Sequence, residues 1–130
     1  MVNQYLVDSY AWVEYFLGSK KGETLRRLLT DQNNSFFTAE CCLAEIYDWT
    51  LRNKQDFDHI FKVIRADSTI LSVNEHDWIH AGKVRFVERQ TQKDFGLIDS
   101  MLLVKQEQMG CILISGDKHF RGRKNVLFLD

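Results

Sequence analysis

Two acidic residues follow apolar runs that read as strands: Asp8 closes Tyr5-Leu6-Val7, and Asp117 comes just after Cys111-Ile112-Leu113-Ile114. Two more, Glu45 and Asp99, stand on or near the starts of segments with helical periodicity. Clustered carboxylates repel one another unless a cation sits among them, and hard oxygen ligands suit Mg²⁺ or Mn²⁺. A metal held this way can lower the pKa of a water, orient it, and offset charge developing on a phosphodiester; two metals can hold both the attacking and the leaving oxygen. Each acid alone has a commoner use. Asp8 and Asp117 stand where helix and turn caps stand, Glu45 where a surface ion pair is ordinary, and Asp99 where a first-turn acid meets the helix dipole. The chemistry therefore depends on a fold that brings all four together.

The surrounding pattern describes such a fold. Helical periodicity covers residues 10–17 up to Gly18, then 21–29, with turn residues at 31–34 and a buried strand at 35–37. Thr38 reads as the N-cap of a helix running to Arg52, with Glu40 in its first turn. Further helices are expected over 56–65, from the Asn74 cap to 88, and over 97–109 up to Gly110; strands are expected at 69–73, 111–114 and 125–129. Strands alternating with helices, several of them continuous apolar runs, predict a parallel sheet covered on both faces. The expected class is α/β, three layers (α/β/α) around a central, mostly parallel sheet of about five strands, in one domain spanning 1–130.

Composition narrows the class further. With 45% hydrophobic and 27% charged residues, the chain has the balance of a globular protein. No run approaches the ~18 apolar residues of a membrane span, and MVNQYLVDSYAW lacks a basic leader followed by an apolar stretch, so a cytoplasmic protein is expected. Three cysteines without CxxC spacing argue against a disulfide framework or a zinc finger and for buried thiols. A net charge of -1 gives no global field attracting nucleic acid, which leaves local clusters to do so.

Four blocks resemble the PIN-domain family. Tyr5-Leu6-Val7-Asp8-Ser9-Tyr10-Ala11 looks like its opening strand, Asp, then Ser or Thr. Ala39 through Tyr47, carrying Glu45, resembles its second block, and Leu97-Ile98-Asp99-Ser100-Met101-Leu102-Leu103-Val104 its third. Ile112-Leu113-Ile114-Ser115-Gly116-Asp117-Lys118-His119-Phe120 resembles the fourth. The blocks stand in order and span essentially the whole chain. The departures are Ser100-Met101, where a small residue and Leu are common, and the absence of an alanine-rich run after Asp99. The resemblance implies a metal-dependent endoribonuclease using Mg²⁺ or Mn²⁺ on Asp8, Glu45, Asp99 and Asp117, with Ser9 and Ser115 as hydroxyl helpers. Its small members resemble VapC-type toxins, which implies an RNA substrate, a small antitoxin partner and a homodimer. A catalytically weak or inactive RNA- or protein-binding module on the same fold is the alternative.

Other signals compete less well. His76 and His80 are four apart on a helix, but a zincin needs Glu after the first His and Asp77 stands there; a face with Trp78 and Ile79 packed inward is expected instead. Asp48, Glu14, Glu40 and Asp94 are possible accessory acids. Lys118, His119, Arg121, Arg123 and Lys124 cluster past Asp117; of these Lys118, Arg121 and Arg123 are the candidate phosphate contacts, with a solvated turn equally in view. Phe36, Phe37, Phe57 and Phe61 suit a core better than base stacking. A haloacid-dehalogenase-type enzyme wants Asp-x-Asp after the first strand, whereas position 10 is Tyr; a receiver domain wants an adjacent acid pair that is absent here.

Overall fold

Alternation along the apolar strands divides this molecule into two half-cores. The computed structural model describes residues 3–130; the single-domain expectation also took in Met1 and Val2, which lie outside them. The strands are β1 (Asn3–Val7), β2 (Asn34–Ala39), β3 (Thr69–Leu71), β4 (Ile112–Ser115) and β5 (Val126–Phe128), all parallel, in the order β3-β2-β1-β4-β5. Between them run α1 (Ser9–Leu17), α2 (Lys20–Leu29), α3 (Cys41–Arg52), α4 (Phe57–Asp67), α5 (Glu75–Glu88) and α6 (Leu97–Met109), with a short 3₁₀ turn at Lys118–Phe120. The expected α/β class with three layers is what the chain adopts.

Tyr5 and Val7 point to one face, where Trp12, Leu25, Ile46, Ile60 and Ile64 from α1 to α4 cover them. Leu6 points to the other, against Phe95, Leu102 and Phe120. On that side α5 packs on α6 through Ala81, Met101 and Val104. Cys42 and Cys111 are buried and Cys41 is half-buried; all three are free thiols. No helix of the described residues is long and apolar enough to cross a membrane.

Thr38 differs from its expected role. β2 continues through Ala39, and the buried Thr38 hydroxyl accepts from Trp12 Nε1 at 3.0 Å and meets Ser68 Oγ at 2.8 Å. Burying an indole N–H requires an acceptor, and Thr38 supplies one across the sheet face. Glu40 takes the N-cap position of α3 without a side-chain cap bond; its carboxylate instead accepts from Val73 N at 2.8 Å, fixing the segment after β3. β3 accordingly ends at Leu71 rather than 73.

Two close approaches set the helix layers. Gly18 ends α1 in the left-handed region, φ 67°, and Ser19 caps α2 by accepting from Gly22 N at 3.1 Å. Gly22 lies directly on α1: a Cβ there would run into the backbone of Glu14 and Tyr15. Backbone cannot yield as a side chain can, so Gly22→Ala is expected to lower the unfolding free energy by about 1–3 kcal/mol in urea denaturation.

The second approach joins α5 to α6. Lys105 Nζ lies 2.7 Å from Asp77 Oδ2, with side chains only 8% and 4% exposed. Gln108 Nε2 donates to Asp77 Oδ1 at 2.8 Å and Asn74 N to Oδ2 at 3.1 Å. The Lys105 hydrogen bond, with those of Gln108 and Asn74, holds the Asp77 carboxyl far below the usual carboxylate range. Asp77 and Ala81 thus form the inward stripe of α5. The expectation that Trp78 and Ile79 pack inward is overturned: they are 36% and 68% exposed, because one and two residues after the inward Asp77 the helix has turned by about 100° and 200°.

Candidate metal centre

Asp8 and Asp117 meet because β1 and β4 are neighbours. Val7 lies opposite Ile114, and Asp8 N donates to the Ile114 carbonyl at 3.2 Å. β2 flanks β1 on its other side, so the chain order reverses between β1 and β4, where an open parallel sheet forms its crevice. Both carboxyl ends open on that edge.

The ordinary use of each acid and the shared one coexist here. Asp8 caps α1, its Oδ1 accepting from Ala11 N at 2.8 Å, while being almost wholly buried. Burial pushes its carboxyl up to about 7; the nearby Ser115 hydroxyl and the Ala11 amide oppose this, and Asp117 and Glu45 add to it. Glu45, one turn into α3, accepts from Ser9 Oγ at 2.8 Å. Burial raises it too, against that hydroxyl, and the charges of Asp99 and Asp117 contribute.

Asp99 sits in the first turn of α6, with Oδ2 accepting from Gly96 N at 3.3 Å. Burial and the Asp117 charge raise its carboxyl despite the Gly96 amide and His119. Asp117 caps the 3₁₀ turn by accepting from His119 N at 2.9 Å, and its own N–H donates to Ser115 Oγ at 3.0 Å. Gly116 lets this turn pass beneath the Tyr10 ring, which a Cβ at 116 would penetrate.

The four carboxylates thus feel one another, and among the described residues none has a Lys or Arg ion pair. Asp8, Glu45 and Asp99, raised by burial and by neighbouring carboxylates with His119 as the one basic side chain against the group, offer the oxygen donors that suit a hard divalent cation. Asp99 and Asp117, with His119, also form the one group among the described residues whose ligand atoms all lie within 4.8 Å of one another. His119 was read from sequence only as part of a basic cluster. Burial works against its imidazolium, but Asp94, Asp117 and Asp99 together outweigh that and raise its pKa.

An open cleft of about 280 Å³ leads away from the acids between Tyr10, Glu14, Glu45, Trp49, Arg52 and Asp117. A larger hollow of about 440 Å³ lies at the amino end of β4 and contains none of the four acids. The basic cluster is divided. Lys118 reaches Asp94 at 3.3 Å from an exposed position, and Arg121 pairs with Asp130 at 3.3 Å over the Phe128 ring. Arg123 is committed to Glu88 and the His119 carbonyl, above Phe95. Among the accessory acids, Asp48 pairs with Arg52 in solvent and Glu14 accepts from Ser19 Oγ. Glu14 lines the cleft with Glu45 and Asp117, and Asp94 reaches the acid group through His119.

A family model described as PIN domain matches residues 5–125. Solved structures share the fold at low identity. VapBC2 from Rickettsia felis, bound to a DNA fragment from its promoter, is 15% identical, with 98% of this chain and 99% of that one covered and a TM-score of 0.73. A toxin–antitoxin complex from Klebsiella pneumoniae is 16% identical, with 97% and 98% covered and a TM-score of 0.68. VapC20 from Mycobacterium tuberculosis, described as a Sarcin-Ricin loop cleaving toxin, is 14% identical, with 82% and 84% covered and a TM-score of 0.67. No curated protein sequence matches the chain.

Proposed function

The chain belongs to the PIN-domain family, and on that premise we propose that it is a divalent-metal-dependent endoribonuclease, the toxin of a toxin–antitoxin pair. The observation carrying this reading is the convergence of Asp8, Glu45, Asp99 and Asp117, the first three raised from their ordinary values, at the β1–β4 crevice. A binding module would have no use for that repulsion, which costs stability unless a cation offsets it.

Asp8, Glu45, Asp99 and Asp117 would hold Mg²⁺ or Mn²⁺. When bound, the metal supplies an acidified water and offsets charge on the phosphodiester. The chain's own side chains do the positioning. Ser9 holds Glu45 by one oxygen and leaves the other free. Ser115 fixes the backbone of Asp117 and favours the charged form of Asp8. Lys118 and Arg121, two exposed members of the basic cluster, attract the RNA backbone; Arg123 serves the fold. The whole chain acts as one domain in the cytoplasm in this reading. Its partners are a small antitoxin and a second copy of itself; Ile79 and Phe86, two turns apart on α5 and 68% and 70% exposed, provide uncovered apolar surface.

The test is incubation of the purified protein with a panel of structured and single-stranded RNAs in Mn²⁺, Mg²⁺ or EDTA. Cleavage of at least one RNA in metal, abolished by EDTA, is expected. Cleavage persisting in EDTA overturns the metal reading. RNA binding without cleavage in Mn²⁺ supports the inactive module.

A further inference from the structure

We propose that His119 is a nitrogen ligand of this centre, oriented from behind by Asp94, so that Asp99, Asp117 and His119 form a mixed oxygen–nitrogen site favouring Mn²⁺ over Mg²⁺. The proposal rests on the metal reading above and specifies which atoms receive the ion.

The ring is fixed before any ligand arrives. The His119 amide donates to Asp117 Oδ1, its carbonyl accepts from Gln92 Nε2 at 3.1 Å, and Phe95 meets the ring edge-on with centroids 5.4 Å apart. Nδ1 lies 3.0 Å from Asp99 Oδ2 and 2.9 Å from Asp117 Oδ1, while Nε2 lies 3.1 Å from Asp94 Oδ1. Both ring nitrogens are shielded from solvent, yet neither makes an aligned hydrogen bond. Close approach without alignment leaves two buried polar atoms unsatisfied, a costly arrangement unless something else engages them.

A cation among Nδ1, Asp99 and Asp117 resolves it. A neutral imidazole carries one proton, and a carboxylate beside one nitrogen places the proton there and turns the other lone pair outward. Asp94 stands beside Nε2 while Asp99 and Asp117 stand beside Nδ1, so a cation at Nδ1 takes the place of a proton shared with those two carboxylates and the ring keeps its remaining proton on Nε2 toward Asp94. A carboxylate behind a histidine whose far nitrogen binds metal is the recurrent arrangement of histidine ligands, fixing tautomer and ring orientation. Lys118 Nζ lies 3.3 Å from the exposed Asp94 carboxylate on its outer side. All-oxygen sets suit Mg²⁺, whereas imidazole moves preference toward transition metals.

The experiment measures Mn²⁺ and Mg²⁺ binding by calorimetry, and ¹⁴N electron spin-echo modulation of bound Mn²⁺, in the wild type, His119→Asn and Asp94→Asn. The wild type is expected to bind Mn²⁺ more tightly than Mg²⁺ and to show imidazole ¹⁴N modulation. His119→Asn should lose the modulation and about tenfold or more in Mn²⁺ affinity, with Mg²⁺ affinity changed far less. Asp94→Asn, at an exposed position that the fold does not need, should weaken Mn²⁺ binding by about tenfold with modulation retained. Absence of ¹⁴N modulation in a wild type that binds Mn²⁺, or unchanged Mn²⁺ affinity in His119→Asn, overturns the proposal. That result would leave His119 as an internal cation for the acids. A wild type that binds neither ion overturns the metal reading itself.

Discussion

Asp99→Asn is expected to slow metal-dependent RNA cleavage by about a hundredfold or more while leaving the fold intact. The substitution keeps the side chain's shape and the oxygen that accepts from Gly96 N, so the first turn of α6 remains supported. What it removes is one negative charge from a group in which Asp117 acts on Asp99 and Asp99 acts on Glu45. Several kcal/mol of charge stabilisation pass through such a centre, and each ~1.4 kcal/mol is tenfold in rate. Single-turnover cleavage in saturating Mn²⁺, with a thermal melt as the control, checks it. A variant cleaving within about tenfold of wild type would remove Asp99 from the centre.

Asp8→Asn should change stability itself: the metal-free variant should outlast the wild type at pH 8. In the unfolded chain the Asp8 carboxyl ionises near 3.8, and in the folded metal-free protein it keeps its proton up to about 7. Between those values the folded state binds the extra proton, so stability falls as pH rises from about 4 to 7 and then levels off. A shift of that size corresponds to about 4 kcal/mol, or a melting temperature higher by roughly 15 °C in the variant. Asparagine retains an oxygen for the Ala11 amide, so the α1 cap survives. Below pH 4 the two proteins should melt together, and Mn²⁺ should raise the wild type more than the variant. A wild type whose stability is flat between pH 4 and 8 contradicts the burial of a charge at this position.

These two acids also mark how far the sequence carries the reader. Asp8 and Asp117 were visible because each follows an apolar run, and a strand end is a local property. Glu45 and Asp99 required the topology, since only the β1–β4 reversal turns α3 and α6 toward one crevice. His119 was hidden in plain view: its position in the turn after Asp117 was legible, but the surrounding Lys and Arg residues made it read as one more positive charge. Its chemistry lies in Asp94 and Asp99, which reach it from another loop and another helix. Thr38 misled for a similar reason, because its partner Trp12 is 26 residues away. Along α5, two adjacent apolar residues outweighed a buried aspartate whose lysine stands 28 positions later. Periodicity reads faces well when they are apolar and poorly when a face is held by charge.

That lysine pair has a consequence for how the hairpin of α5 and α6 can be assembled. Apolar side chains at positions 77 and 105 would hold the helices together at least as firmly, since removing two charges from water is expensive. They would also accept neighbours: a slide of one turn, about 5.4 Å, trades one apolar contact for another. The ion pair accepts no such substitute, because a slipped Asp77 or Lys105 would be buried without its counter-charge. It works as a key that turns in one position, and Asp99, six residues before Lys105 on the same helix, is delivered to the crevice at the height that key sets.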